Sequence, residues 1–311
     1  MSTMTTLKAT VRHHLPFVAY PWLSFASATN RLRRGMTGGS QYPIFIDYPI
    51  EPTPRYGWGK PAHPELHALM NTNREHYAAL LRRMIPDVAD GLRAIPAQPT
   101  SSGTPHWDNV FVQGLDATTL YAFPKLFHSQ QYLEIGSGNS TKFVRQSIRD
   151  HHLPTTITSI DPYPRAEVND LCDEIIRQPL EDIDVSIVDR LGANDILMFD
   201  GSHRCLQNSD VHVFFLEVLP RLKPGVIVFI HDMFLPYDYR PEWASRWYSE
   251  QYLLAVLLLA DRQRRYEILF PSLFIDYDPE LRAVAETCWA DSHIAAPFPK
   301  GATSFWMRVR G

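Results

Sequence analysis

The amino-acid sequence predicts an α/β protein built on a doubly wound sheet, and three observations carry that expectation. From Gln131 onward, short apolar runs alternate with helical patterns, the rhythm of strands joined by crossover helices. Several of these runs end in an acidic residue or a glycine turn, where open sheets of this kind bind ligands. Residues 1 to about 125 lack the rhythm and are rich in Pro, His and aromatics, so the chain up to about residue 120 reads as a helical and loop extension.

In the extension, one helical pattern runs from Pro64 to Leu92. The loop PRYGWGKP, Pro54 to Pro61, carries Tyr56 and Trp58, and His106, Trp107, Asn109 and Phe111 precede a helix over Asp116 to Leu126. Each aromatic alone is expected to plug a core edge; as a set they could clamp a ligand. Gln131 to Ile135 is a buried strand, Gly136 and Gly138 turn the chain, and Asn139, Ser140 and Thr141 cap a helix over Lys142 to Asp150. Thr155 to Ile160 is a β-branched strand ending at Asp161; Pro164 to Glu174 reads as helix and Glu174 to Arg177 as a short strand. Asp195 to Phe199 is the fourth strand, followed by Asp200-Gly-Ser-His203 and a helix from Ser209 to Leu222. Lys223-Pro-Gly225 turns the chain into the strongest strand, Val226 to Ile230, which ends in His231 and Asp232. A long helix over Glu242 to Leu259, a strand Tyr266 to Phe270, a helix Pro279 to Trp289 and a strand Ser304 to Val309 complete the pattern.

At 311 residues, 45% of them hydrophobic and 21% charged, the chain can bury a full core. A formal net charge of -4 argues against nucleic acid as a partner and for a small or neutral substrate. Leu15 to Ala26 is apolar and flanked by Lys8, Arg12, Arg31, Arg33 and Arg34, but Pro16 and Pro21 interrupt it and it is too short to span a bilayer. It is expected to pack on its own or a partner subunit, which leaves a homo-oligomer open. Cys172, Cys205 and Cys288 share no ligand-like spacing, which predicts reduced thiols, a cytoplasmic setting and no zinc cluster.

The stretch QYLEIGSGNST, Gln131 to Thr141, bears on the ligand class. Gly136 and Gly138 let a ligand approach the backbone. A dinucleotide fingerprint needs a third glycine where Thr141 stands, and Glu134 would repel a pyrophosphate, so a cationic ligand is expected. The acid-x-Gly-x-Gly pattern resembles the first motif of class I S-adenosylmethionine-dependent methyltransferases. The resemblance extends to Asp161 closing the second strand, D-G-S-H after the fourth, L-K-P-G before the fifth and the closing helix and strands, over roughly residues 120 to 311. It implies a Rossmann-like class I methyltransferase sheet of order 3-2-1-4-5-7-6 with the last strand antiparallel. It also implies a cofactor-binding domain over residues 121–311, with residues 1–120 as lid, substrate platform or oligomer contact.

By that resemblance Glu134, Gly136, Ser137 and Gly138 would form the first S-adenosylmethionine loop. Asp161 could take the ribose hydroxyls or cap a helix starting near Pro164. The family reads adenine after the third strand, where Leu180 could stack on the ring and Glu181 or Asp182 take its amino hydrogen. Asp200, His203, His231 and Asp232 follow two strands that neighbour each other in such a sheet, so two carboxylates and two imidazoles would converge on one cleft. That arrangement calls for a shared proton or a divalent cation. This part is similar to metal-dependent sugar O-methyltransferases and to cephalosporin hydroxylase-like proteins, which implies Asp200 and Asp232 as Mg²⁺ ligands and His203 as base on the acceptor hydroxyl. His231 stands where those relatives have an acid. A ligand set of Asp200, His231 and Asp232 has one hard oxygen donor fewer, which suits a softer ion than Mg²⁺, such as Mn²⁺, or no metal.

The expected reaction is O-methylation of a small hydroxylated metabolite, glycosylated ones included. His203 would be the general base, with Asp200 and Asp232 placing the hydroxyl directly or through a metal. Two other classes stay open: a hydroxylase holding iron among Asp200, His231 and Asp232, and a non-catalytic cofactor-binding protein.

Overall fold

Apolar runs buried on both faces make the frame, as strands in the middle of a parallel sheet require. The computed structural model describes residues 50–164, 166–287 and 301–311. The run Leu15 to Ala26, Cys288 and the expected helix end at Trp289 lie outside the described residues. In chain order the helices and strands are α1 (Pro64–Asn71), α2 (Arg74–Ala94), α3 (Leu115–Phe127), β1 (Gln131–Ile135), α4 (Asn139–His151), β2 (Thr156–Ile160), β3 (Glu174–Ile176) and β4 (Ile196–Phe199). Then come α5, continuous through Asp210–Val213, a π-helical turn Phe214–Val218 and Leu219–Arg221, and β5 (Ile227–Ile230), α6 (Glu250–Asp261), β6 (Tyr266–Pro271), α7 (Ser272–Tyr277), α8 (Pro279–Glu286) and β7 (Phe305–Val309). The sheet order is β3-β2-β1-β4-β5-β7-β6, with β7 antiparallel to both its neighbours and the other pairs parallel, as the resemblance implied.

Register places the site. Ile135 pairs with Ile160 on one side and Phe199 on the other, and Phe199 pairs with Ile230. The next residue on each strand is therefore Gly136, Asp161, Asp200 and His231, all at one level of the sheet edge. Backbone bonds continue the ladder one step further, from Gly136 N to Ile160 O (3.0 Å), Asp200 N to Ile135 O (2.9 Å) and His231 N to Phe199 O (3.0 Å). Gly136 has φ +84°, and a Cβ there would lie 2.0 Å from the Asp200 carbonyl oxygen, so only glycine fits. Gly138 is different: a Cβ there would meet no atom within 4 Å.

Contacts divide the chain between Glu51 and Pro52. Within the second part, α2 and α3 share one apolar core with the sheet through Tyr77, Leu81, Met84, Leu120 and Phe123. Trp306 on β7 is fully buried against Phe123 (4.5 Å between ring centres) and Phe229 (4.7 Å), its indole N–H donating to Thr119 Oγ1. Two buried acids pin the approach to β7: Asp276 accepts from Gly301 and Ala302 N–H, and Asp116 from Thr303 and Ser304 N–H. Among the described residues no helix is long and apolar enough to cross a membrane.

Three expectations are corrected. The pattern from Pro64 to Leu92 is two helices, broken where Asn73 turns its side-chain amide to Gln263 Oε1 and Ile268 O. The helix expected over Pro164 to Glu174 is absent apart from a 3-10 turn, Asn169–Leu171; Leu171 O and the Asp173 carboxylate are taken by Arg145 instead. The long helix from Glu242 to Leu259 is a 3-10 helix Pro241–Arg246 and then α6, separated by Trp247 at φ +55°. Periodicity carries across that break, but Ser249 is drawn off the helical path to donate its N–H to His203 O (2.8 Å).

Gly136→Ala combines a left-handed backbone with a backbone clash, so it is expected to lower the free energy of unfolding by about 3 kcal/mol. Urea denaturation of the variant measures this, and a loss below about 1 kcal/mol would mean the turn has slack.

Candidate functional site

Beyond the ends of β1, β2 and β4 lies a cleft of about 370 Å³. Gly136, Ser137, Asp161, Leu180, Glu181 and Asp200 are on its wall, as the sequence suggested, together with Tyr163, Ser202 and Asp210. Among the described residues its charged side chains are Asp161, Glu181, Asp200 and Asp210, with no Lys, Arg or His on the wall. A diphosphate would meet four carboxylates there, and a cationic ligand suits the wall.

Glu134 is the exception. Its side chain is fully buried behind the turn, off the cleft wall, where Thr141 Oγ1 donates to Oε1 (2.5 Å) and Ser140 Oγ to Oε2 (3.5 Å). Thr141 Oγ1 also accepts the Gly138 N–H (3.1 Å), so the residue that replaces a third glycine ties the acid to the loop. Burial pushes the Glu134 carboxyl up to about 8 against these hydrogen bonds. The preference for a cation, assigned to Glu134 in the sequence, belongs to the wall acids. Gly138 is not on the wall either.

Asp161 bridges two loops, accepting the Ser137 N–H at Oδ2 (2.8 Å) and the Tyr163 N–H at Oδ1 (2.8 Å). The Ser137 hydroxyl also lies 3.5 Å from Oδ2; among the described residues no helix starts near Pro164, so the capping alternative falls away, and Oδ1 keeps a lone pair for a ligand. Leu180 is buried in the wall, and Glu181 Oε2 is buried with no hydrogen-bond partner. Burial also raises the Glu181 pKa.

Asp200, His203, His231 and Asp232 do converge. His203 Nε2 lies 3.4 Å from both Asp200 Oδ1 and Asp232 Oδ2, and His231 Nδ1 lies 3.6 Å from Asp200 Oδ1 and Asp232 Oδ1. His203 and Asp232 both hold left-handed backbone, φ +63° and +57°, the kind of local strain that tight sites retain. Two further acids, not foreseen, stand behind the imidazoles. Glu250, fully buried in the first turn of α6, meets His203 Nδ1 at 2.8 Å, and Asp116 Oδ2 lies 3.5 Å from His231 Nε2. Glu250 sits in a sequence pattern indistinguishable from the rest of its helix; only the break at Trp247 brings it under the histidine.

Burial works against a charged His203, but the carboxylates of Glu250, Asp200 and Asp232 outweigh it and push its pKa up to about 9. His231 is also held above its ordinary value, burial being overcome by Asp200 and Asp232. Burial raises Glu250 to about 7 despite the His203 charge beside it. Each histidine thus has one nitrogen facing a buried acid and the other facing the Asp200–Asp232 pair.

The loop aromatics lie elsewhere. Trp58 packs at the edge of a second apolar cluster with Phe234 and Tyr237, Tyr56 packs on His63, and Trp107 packs on Phe143. Trp58 and Trp107 plug core edges, Phe111 is exposed, and none of them lines the cleft.

Residues 133–233 match the family described as Methyltransferase domain. Among solved structures the chain is similar to the plantazolicin methyltransferase BpumL in complex with a triazolic desmethylPZN analog and SAH, at 14% identity over 80% of this chain and 98% of that one, TM-score 0.40. It is similar to MycE from the mycinamycin biosynthetic pathway, in complex with Mg, SAH and mycinamycin VI, at 18% identity over 60% and 48% of the two chains, TM-score 0.33. SAH-bound Podospora anserina methyltransferase PaMTH1 is similar at 15% identity over 78% and 88%, TM-score 0.38. No curated protein matches the chain.

Because Glu134 binds a proton more readily folded than unfolded, the stability it adds is complete below about pH 4.5 and is lost as pH rises through about 8. Glu134→Gln should flatten the fall in unfolding free energy between roughly pH 5.5 and 7.5 by about 1 kcal/mol per pH unit. Urea titrations at the two pH values read the slope; equal slopes in both proteins would show that the acid is already ionised.

Proposed function

We propose that the chain, a class I S-adenosylmethionine-dependent methyltransferase, moves the methyl group to a hydroxyl oxygen of a small metabolite, glycosylated ones included, with His203 as general base. The observation that carries this reading is the buried His203 imidazole, held at Nδ1 by Glu250 and turned at Nε2 toward Asp200 and Asp232 at the cleft end. Displacement at a sulfonium methyl needs alignment and removal of one proton, and little else from the protein. Glu250 fixes the ring so that the nitrogen available for the acceptor proton is Nε2. Asp200 and Asp232 orient the hydroxyl.

For the cofactor, the loop at Gly136 and Ser137 holds the amino-acid end, Asp161 accepts from the ribose hydroxyls, Leu180 lies against adenine and Glu181 Oε2 takes an amino hydrogen. The unpartnered, buried state of Glu181 Oε2 supports the last assignment, since a buried acceptor without a donor is costly until a ligand supplies one. Glu134 acts by holding the loop.

Asp200, His231 and Asp232 fit a divalent cation. One ligand atom from each lies within 4.8 Å of the others, and Asp116 facing His231 Nε2 leaves Nδ1 toward the carboxylates. Two acids and an imidazole suit Mn²⁺ better than Mg²⁺. A cation there would supply the positive charge that offsets the acids now holding a proton on His203. The same three ligands would suit iron in a hydroxylase, and oxygen uptake with an acceptor but without methyl transfer would favour that second reading.

With labelled S-adenosylmethionine and a panel of hydroxylated acceptors, His203→Ala should cut kcat by about 100-fold or more while S-adenosylhomocysteine affinity holds within about twofold. Loss of that affinity would recast His203 as structural. Glu250→Ala should cost at least about tenfold in kcat with KM little changed; an unaltered kcat would remove Glu250 from the mechanism.

A further inference from the structure

We infer that the rim beside His203 binds an anionic group of the acceptor, and that the acceptor is a hydroxylated aromatic carboxylate whose ring lies along Tyr248 and Trp243 and whose carboxylate meets Arg204 and Arg246. This rests on the methyl-transfer reading above and names its substrate class. The connection from β5 to α6 brings Tyr248 over the His203 ring, 4.4 Å between centres, and Trp243 stands 5.6 Å beyond Tyr248. Both rings are half-buried and their planes stand 78° apart, so a planar partner can lie along one and meet the other with its edge.

Two guanidiniums frame those rings. Arg246 lies 3.9 Å from the Trp243 ring centre and 5.6 Å from that of Tyr248, and Arg204 lies 5.2 Å from Tyr248. Arg204 is fixed at the cleft mouth: its Nε donates to Arg246 O (2.8 Å) and its Nη1 to the carbonyl of Ser202, a residue of the cleft wall. Several guanidiniums pair with acids, as in Arg74 with Asp278, Arg145 with Asp173, Arg190 with Glu174 and Arg221 with Asp189, whereas others, such as Arg240 and Arg308, lie over rings. Among the described residues Arg204 and Arg246 face only rings and backbone carbonyls, and Arg246 is exposed.

The charge layout has two poles with a ring between them. Asp200, Asp232 and Glu250 crowd the His203 end, which repels an anion there and accepts a hydroxyl. The guanidinium fork at the other end matches a carboxylate in shape and charge and a neutral amide in neither. An acceptor with its hydroxyl and its carboxylate at opposite ends of one ring satisfies both poles.

The test uses the full chain saturated with S-adenosylhomocysteine, with calorimetry of gallate and of its neutral amide. Gallate should bind at least about tenfold tighter than the amide, and Arg204→Gln with Arg246→Gln should bring the two within about threefold. Retained S-adenosylhomocysteine affinity reports an intact fold, and Arg246→Gln alone, which loses no hydrogen bond, should remove part of the preference. Equal binding of the two probes, no measurable gallate binding, or a preference that survives the double variant overturns the inference. Gallate bound with an arginine-dependent preference while no acceptor of the panel is methylated leaves the anion-binding rim standing and overturns the methyl-transfer reading. Methylation of the amide as efficiently as gallate does the reverse.

Discussion

The constraint on which the rest depends is that β1, β2, β4 and β5 stop at a common level. A parallel ladder in fixed register leaves no freedom about which residues come next, and here those are a glycine, two aspartates and a histidine. Slipping one strand by a residue would carry its terminal side chain to the opposite face and empty the cleft of an acid. The close approach of Gly136 to the Asp200 carbonyl is the tightest point of that alignment. The chemistry is therefore written into backbone pairing before any side chain takes part.

Around that edge the protein tolerates an unusual density of acids. Asp116, Asp200, Asp232 and Glu250 surround two imidazoles, and burial raises the pKa of the Glu250 carboxyl. Each histidine is sandwiched between acids, so opposite charge offsets part of the desolvation cost. The pairing is also directional. Since one ring nitrogen of each histidine is turned to a buried carboxylate, the other faces the Asp200–Asp232 pair.

Much of this was legible in the sequence, and what was not has physical reasons. Strand positions, sheet order and the convergence of Asp200, His203, His231 and Asp232 follow from apolar runs and topology, which are local or nearly so. Glu134 was read as facing the cleft and does not, because spacing from a glycine turn does not say which side of a strand a carboxylate takes once Thr141 reaches back for it. Asp116 and Glu250 were missed since their roles come from chain more than forty residues away. The missing helix after Asp161 and the break at Trp247 share a cause: backbone groups satisfied by distant partners outcompeted the local ladder.

The paired acids at the entry to β7 have a bearing on how the molecule is made. Asp276 and Asp116 each collect two successive amide hydrogens from that one short stretch, and Asp116 is also the neighbour of His231. On a ribosome the helices, the cleft and both histidines emerge first, with two carboxylates still lacking their donors. The two carboxylates gain these donors only when β7 threads between β5 and β6, so the strand that follows the cleft in the chain completes the edge that holds it.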